Sequence, residues 1–217
     1  MRLDRNTYGT VLLVFLFCAL CIFLLWRFVP CAWINALLTL GLLWVCAWQT
    51  YFHMVPDRVP VGSDRLVSSV SDGKVVIVEP VFEPRYLRRD CIQVSVYMDF
   101  WDLHANFWPV TGVVSFADYF PGKHMLAFKP KASEENEHSC TVIRTPAGEE
   151  LLFKQIAGGF ARRIVCYAKP GLAVSAGEQC GIIKFGSRID YYLPPTAKVR
   201  VKVGENVKAV STIIAEI

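Results

Sequence analysis

Two uninterrupted apolar runs, from about Tyr8 to Phe28 and from about Ala32 to Tyr51, open the chain, and Arg27 is the only charged residue in either. Each matches the ~20 residues that a helix needs to cross a hydrocarbon core. In lipid only a helix or a closed barrel satisfies its own backbone, so the choice of structure is narrow. Arg27, Pro30 and Asn35 mark a break between the runs, and residues 1–51 read as a transmembrane helical hairpin (about 8–28 and 32–51). Trp26, Trp33, Trp44, Trp48 and Tyr51 lie towards the ends, where amphipathic rings favour the interface. A cleaved signal peptide fits poorly, because the first run is long and a second follows at once. Arg2 and Arg5 precede the hairpin, Arg58 and Arg65 follow it, and only Arg27 is near the connection. The positive-inside rule therefore places both ends, and the remainder of the chain, in the cytoplasm.

The formal charge of +4 is spread over a mixed surface with no basic stripe, which argues against a nucleic-acid partner. A mild positive bias suits a domain working against an anionic lipid face. Four of the eight cysteines (Cys18, Cys21, Cys31, Cys46) fall in the hairpin, and Cys91, Cys140, Cys166 and Cys180 are scattered. Cys18 and Cys21 have metal-like spacing but no partner pair, so no metal site is expected; free thiols fit a reducing compartment.

From Val67 onward the chain is rich in β-branched and aromatic residues in short runs. Residues 75–78, 92–98, 140–143, 151–153 and 199–203 read as strands, with glycine and proline between them. No long amphipathic pattern follows Tyr51. Residues 52–217 therefore form one mostly-β domain, and the whole chain is α+β. Gly171 to Ala176 can be laid over Gly204 to Ala209, each continuing into an apolar strand. That pattern resembles the half-repeat of barrel-sandwich, biotinyl/lipoyl-like domains; two ordinary hairpins of similar composition read equally well.

Directly after the first half-repeat stands Gly186-Ser187. A serine after glycine can attack its own upstream carbonyl where the backbone is held tightly, and glycine permits the conformation that this needs. Elimination from the resulting ester splits the chain and leaves an N-terminal pyruvoyl group in place of the serine. Such a carbonyl takes an amine as a Schiff base and accepts the electrons of a decarboxylation. A Gly-Ser pair alone is common in turns.

The surrounding motifs are more specific. Ser71-Asp72-Gly73-Lys74-Val75, Asp102-Leu103-His104-Ala105-Asn106, Pro109-Val110-Thr111-Gly112, Pro121-Gly122, Glu135-Asn136-Glu137, Gln155-Ile156-Ala157-Gly158, Ala161-Arg162-Arg163-Ile164 and Lys184-Phe185-Gly186-Ser187-Arg188-Ile189-Asp190 occur in that order. From about Tyr51 to the end, the chain resembles the short, bacterial type of phosphatidylserine decarboxylase.

The resemblance implies a self-cleaving proenzyme cut between Gly186 and Ser187. Its product is a heterodimer of a β chain (1–186) and an α chain (187–217), carrying a covalent pyruvoyl cofactor made from Ser187. It implies phosphatidylserine as membrane substrate, phosphatidylethanolamine as product, and a place in the bacterial inner membrane. Homo-oligomer formation stays open. The same resemblance makes His104 a catalytic proton carrier and Asp72 an acid that assists self-cleavage. Asp72-Gly73 is equally a hairpin-turn signal. Longer family members keep a second histidine where this chain has Phe107, so a full Asp-His-Ser relay is not expected here. Arg162, Arg163, Lys184 and Arg188 are candidate contacts for the lipid carboxylate and phosphodiester. Glu135-Asn136-Glu137, His53, His124 and His138 receive no chemical role. The reading from another class is a non-enzymatic, membrane-anchored adaptor of the membrane-fusion type. Such proteins place a long coiled coil between their half-repeats, and the segment 183–203, with Pro194-Pro195 in it, is too short for one.

Overall fold

The computed structural model describes residues 1–61, 63–127, 132–159, 163–184 and 186–217, with Arg163 described by its backbone alone. The chain divides into two compact units, Met1–Asp57 and Arg58–Ile217.

In the first unit β1 (Arg2–Leu3) leads into α1 (Tyr8–Phe28), followed by α2 (Ala32–Phe52) and β2 (Met54–Val55). Both helices have 21 residues, with mean hydropathies of 2.7 and 1.4, and are long and apolar enough to cross a membrane. At ~1.5 Å per residue each spans about 31 Å. Val29 turns to extended backbone (ψ 117°) ahead of Pro30, which ends α1. The Asn35 side-chain amide then donates to the Val29 carbonyl at 2.9 Å, satisfying a helix-end acceptor. The Trp26 indole donates to Thr39 at 3.1 Å across the two helices. β1 pairs antiparallel with β2, and the Asp4 N–H donates to the His53 carbonyl, so the open end of the hairpin is tied.

The second unit is mostly β. Its elements are β3 (Leu66–Ser68), β4 (Gly73–Glu83), β5 (Arg89–Met98), β6 (Ala105–Phe107), β7 (Gly112–Phe120), the single turn α3 (Ala132–Glu135), β8 (His138–Arg144), β9 (Glu150–Ala157), β10 (Arg163–Cys166), β11 (Ala173–Val174), β12 (Gln179–Lys184), β13 (Ser187–Leu193), β14 (Lys198–Val199), β15 (Asn206–Val207) and β16 (Ile213–Glu216). A curled eight-stranded antiparallel sheet runs β11-β7-β8-β9-β13-β5-β4-β15. Two three-stranded sheets, β10-β12-β6 and β14-β16-β3, share its core: Ile164, Cys180 and Ile183 of one and Val67, Ile214 and Ala215 of the other pack with Val94, Val96, Phe153, Ile189 and Tyr191. Both edges of the large sheet are two-residue strands, which leaves little ladder for another chain to join.

The segments 171–177 and 204–210 repeat each other bond for bond. Gly171 and Gly204 both have left-handed backbone (φ 83° and 92°) and donate to Val114 and Val75, each at 2.8 Å. The Ala176 N–H is capped by the Thr111 hydroxyl at 3.1 Å, and the Ala209 N–H by the Asp72 carboxylate at 2.8 Å. The likeness extends further than the sequence pattern, because Gly73 and Gly112 open β4 and β7 in equivalent contacts with β5 and β8.

One strand reading differs from the structure, and the strands β7 and β13 have no counterpart in the sequence reading. Of residues 199–203 only Val199 is in a strand; the rest bends into the turn that presents Gly204, with Val203 exposed. The central strand β13 escapes the pattern because Arg188 and Asp190 interrupt its apolar residues. Both of its faces are covered, so its polar residues are buried as a pair instead of alternating with solvent.

Candidate active site

Ser187 is the first residue of β13 and is fully buried, in register with Met98 of β5 on one side and Ala157 of β9 on the other. Gly186 precedes it with φ 58°, a left-handed conformation that glycine adopts without penalty. Among the described residues nothing crowds the Gly186 Cα, so the demand for glycine there is conformational. Along β13 the odd residues Ile189, Tyr191 and Leu193 enter the core, and Ser187 shares their face.

On that face the Ser187 hydroxyl contacts the Met98 sulfur at 3.6 Å, and the Asn106 amide reaches the same sulfur at 4.0 Å. Asn106 accepts from the Gln155 amide at 2.7 Å, and Gln155 accepts from the Ser139 hydroxyl at 2.8 Å. This buried polar chain is missing from the sequence reading of the site. The available signal was two amides inside mainly apolar strands, Ala105-Asn106-Phe107 and Phe153-Lys154-Gln155-Ile156.

His104, fully buried, enters β6, which lies beside β12 and hence beside the strand that leads to Gly186. Its Nδ1 is 2.8 Å from the Asp102 carbonyl. A carbonyl oxygen only accepts, so Nδ1 carries a proton, and Nε2 is the ring nitrogen that can exchange one. Burial pushes the Asp102 carboxyl up to about 6, and the like charges of Asp99 and Asp72 add to the rise.

Asp72 is held by Arg58, whose two terminal nitrogens meet its two carboxylate oxygens, and it also accepts the Ala209 N–H at 2.8 Å. It therefore occupies the turn-capping place that Thr111 fills in the other half of the domain, with a charge added.

The four basic candidates part company. Arg188 projects to the opposite face of the sheet from Ser187 and is fully buried. Its guanidinium pairs with Asp190 at 2.7 Å and donates to the Ala127 carbonyl at 3.0 Å and to Ser133, which itself donates to Asp190 at 2.6 Å. The sequence reading makes Arg188 a lipid contact; strand alternation sends Arg188 and Ser187 to different faces. Lys184, half-buried at the end of β12, is in register with Arg163 of β10. Arg162 and the Arg163 side chain lie outside the described residues. A cleft of about 520 Å³ lined by Arg85, Gln93, Ser133, Lys154 and Tyr192 opens on the outer face, with Arg188 and away from Ser187.

A buried serine directly follows a left-handed glycine here, and a chain of buried polar side chains lies on its face. Residues 45–215 match the family model described as phosphatidylserine decarboxylase. A relative from Cytophaga hutchinsonii is 38% identical over 218 residues, covering 100% of this chain and 99% of its own. Relatives from Burkholderia mallei (39% identical, 88% of this chain and 93% of its own) and Amoebophilus asiaticus (41%, 78% and 76%) are similar in the same way. All three are named phosphatidylserine decarboxylase proenzyme. The chain belongs to the phosphatidylserine decarboxylase family and is an enzyme of the decarboxylase class.

Proposed function

We propose that this chain is a proenzyme that cuts itself between Gly186 and Ser187 and then converts phosphatidylserine to phosphatidylethanolamine. The observation that carries the reading is the setting of Ser187: buried in the middle of a sheet, laddered on both sides, directly after a left-handed glycine. In the cut, Ser187 Oγ adds to the Gly186 carbonyl carbon and gives its proton to a base. The C–N bond then breaks, the nitrogen takes up a proton, and an ester remains. Loss of the Ser187 Cα proton expels the Gly186 carboxylate from Cβ. Water then replaces the nitrogen, and ammonia leaves. The products are a β chain of residues 1–186 and an α chain of residues 187–217 blocked by pyruvoyl.

The pyruvoyl carbonyl supplies an electrophile for the lipid amine and a sink for the electrons left by carbon dioxide. The surrounding residues fit such a group: Asn106 shares the Met98 sulfur with the Ser187 hydroxyl, and a buried polar chain backs it. His104 Nε2 serves as the proton carrier for turnover, and Asp72 supports self-cleavage as a fixed negative charge. Lys184, Arg162 and Arg163 are the candidate contacts for the lipid's anionic groups. Residues 1–51 anchor the enzyme in the bacterial inner membrane, with residues 52–217 as the decarboxylase domain on the cytoplasmic side, in keeping with the arginines flanking the hairpin. The bond-for-bond repeat of 171–177 and 204–210 supports reading those segments as barrel-sandwich half-repeats.

Intact mass tests the proposal. Purified protein gives two chains divided after Gly186, the smaller one blocked at its N-terminus. Ser187→Ala stays a single chain and releases no carbon dioxide from phosphatidylserine. A wild-type chain that remains whole on prolonged incubation, with no pyruvoyl on any peptide, overturns it.

A further inference from the structure

We propose that the Gly158 N–H is the oxyanion donor of self-cleavage and that Asn136 is the positioning residue that aims it. The inference rests on the self-cleavage reading above and gives a task to Glu135-Asn136-Glu137, to which the sequence assigned none.

When Ser187 Oγ adds to the Gly186 carbonyl carbon, the carbonyl π pair moves onto the Gly186 oxygen. That oxygen already accepts the Gly158 N–H at 2.9 Å. The contact continues the β9–β13 ladder one step past the Ser187–Ala157 pair. A donor already in place where charge develops costs no reorganisation during the reaction. Only glycine allows the approach, because a Cβ at residue 158 would collide with the Gly186 carbonyl oxygen.

The peptide that carries this N–H is gripped from its other end. Its carbonyl, that of Ala157, accepts the Asn136 side-chain amide at 2.7 Å. Hydrogen-bond chains polarise their members, so this contact makes the Gly158 N–H a better donor. Asn136 is 1% exposed, so the amide has little freedom. Its orientation is set by Met125, whose N–H reaches Oδ1 at 3.1 Å and whose carbonyl takes Nδ2 at 2.7 Å. Glu137 adds a second grip, its carbonyl accepting the Ala157 N–H at 2.9 Å. Lys123 exchanges backbone bonds with Glu135 and Glu137 and holds the segment in place.

The device has work to do only before the cut. Afterwards residue 186 is a free carboxylate, and lipid turnover proceeds without this donor. Loss of the donor therefore slows maturation and spares turnover per matured site.

The test follows maturation of the full-length chain in detergent by mass spectrometry. It also follows carbon dioxide release from phosphatidylserine, normalised to the amount of blocked α chain. Gly158→Ala slows cleavage by about 10²–10³-fold, the usual effect of losing one oxyanion donor. Gly159→Ala, whose Cβ meets ordinary contacts among the described residues, cleaves at the wild-type rate. Asn136→Ala slows cleavage by up to about 10²-fold through misplacement of the peptide, and its matured fraction turns over normally. Where Gly158→Ala does not fold, an ester in place of the 157–158 amide removes the N–H alone and gives the same slowing. Wild-type cleavage in Gly158→Ala or in the ester overturns the proposal. So does an Asn136→Ala chain whose cleavage and per-site turnover fall together with its unfolding temperature. Failure of the wild-type chain to cleave at all is a different result, and it overturns the self-cleavage reading instead.

Discussion

Arg58 and Asp72 form a two-pronged ion pair across the start of the β domain, and the same carboxylate caps the Ala209 N–H. The equivalent place in the other half is filled by Thr111, which caps Ala176 without charge. Asp72→Thr therefore separates capping from charge. The variant keeps the turn and folds, but it matures slowly, because the fixed negative charge is gone. Both variants leave Arg58 without its carboxylate, and Asp72→Ala loses the Ala209 cap as well, costing about 3 kcal/mol of stability. Thermal unfolding and cleavage time courses check both; wild-type maturation in Asp72→Thr would make Asp72 a turn cap alone.

His104→Ala removes the imidazole whose Nδ1 is held on the Asp102 carbonyl. Per matured site, decarboxylation falls by about 10²–10⁴-fold, the range for a positioned acid–base group. Turnover normalised to pyruvoyl content is the measurement, and a wild-type value would place the proton carrier elsewhere.

The raised Asp102 pKa, about 6 against 3.8, makes the folded state bind a proton more tightly than the unfolded chain. This contribution therefore favours folding below about pH 4 and is lost as pH rises through 6. Asp102→Asn removes the titration but leaves the carbonyl that holds His104. It unfolds at a higher temperature than wild type at pH 7, and the difference closes below about pH 4. A difference independent of pH would show that Asp102 is not the titrating group.

Arg188 and Asp190 are both fully buried, so removing one strands the other. Asp190→Ala costs about 3–5 kcal/mol. It also loosens the segment that follows Ser187, so maturation slows with it. Combining Arg188→Met with Asp190→Leu recovers most of the stability, because no lone charge remains. Denaturant unfolding of the single and double variants decides this.

Removing residues 1–57 leaves Arg58, and with it the Asp72 pair, in place. The shortened chain is soluble and still cleaves, while its activity on vesicles falls far more than its cleavage does. Complete sedimentation of the shortened chain with vesicles in high salt would show another anchor in the β domain.

Local order carried much of the reading. The apolar runs, the strands around Val75, Val94, Val142 and Leu152, and Gly186-Ser187 all declare themselves within a few residues, because hydrophobic period and backbone freedom are local properties. β13 was not legible: its charged pair looks like a surface strand until Ser133 and the Ala127 carbonyl cover it. Asn136 was equally silent, since its role depends on Ala157, a residue that the sequence separates from it and the sheet brings back.

The sequence by itself determined that two helices precede a β domain, that residue 186 is free to take left-handed backbone, and which serine follows it. The tertiary structure decided which groups face that serine. Strand alternation and register put Met98, Asn106 and Gln155 on its side, sent Arg188 to the other, and laid the Gly158 N–H on the Gly186 carbonyl. Those choices depend on pairings between residues dozens of positions apart, and a one-residue slip would reverse each of them.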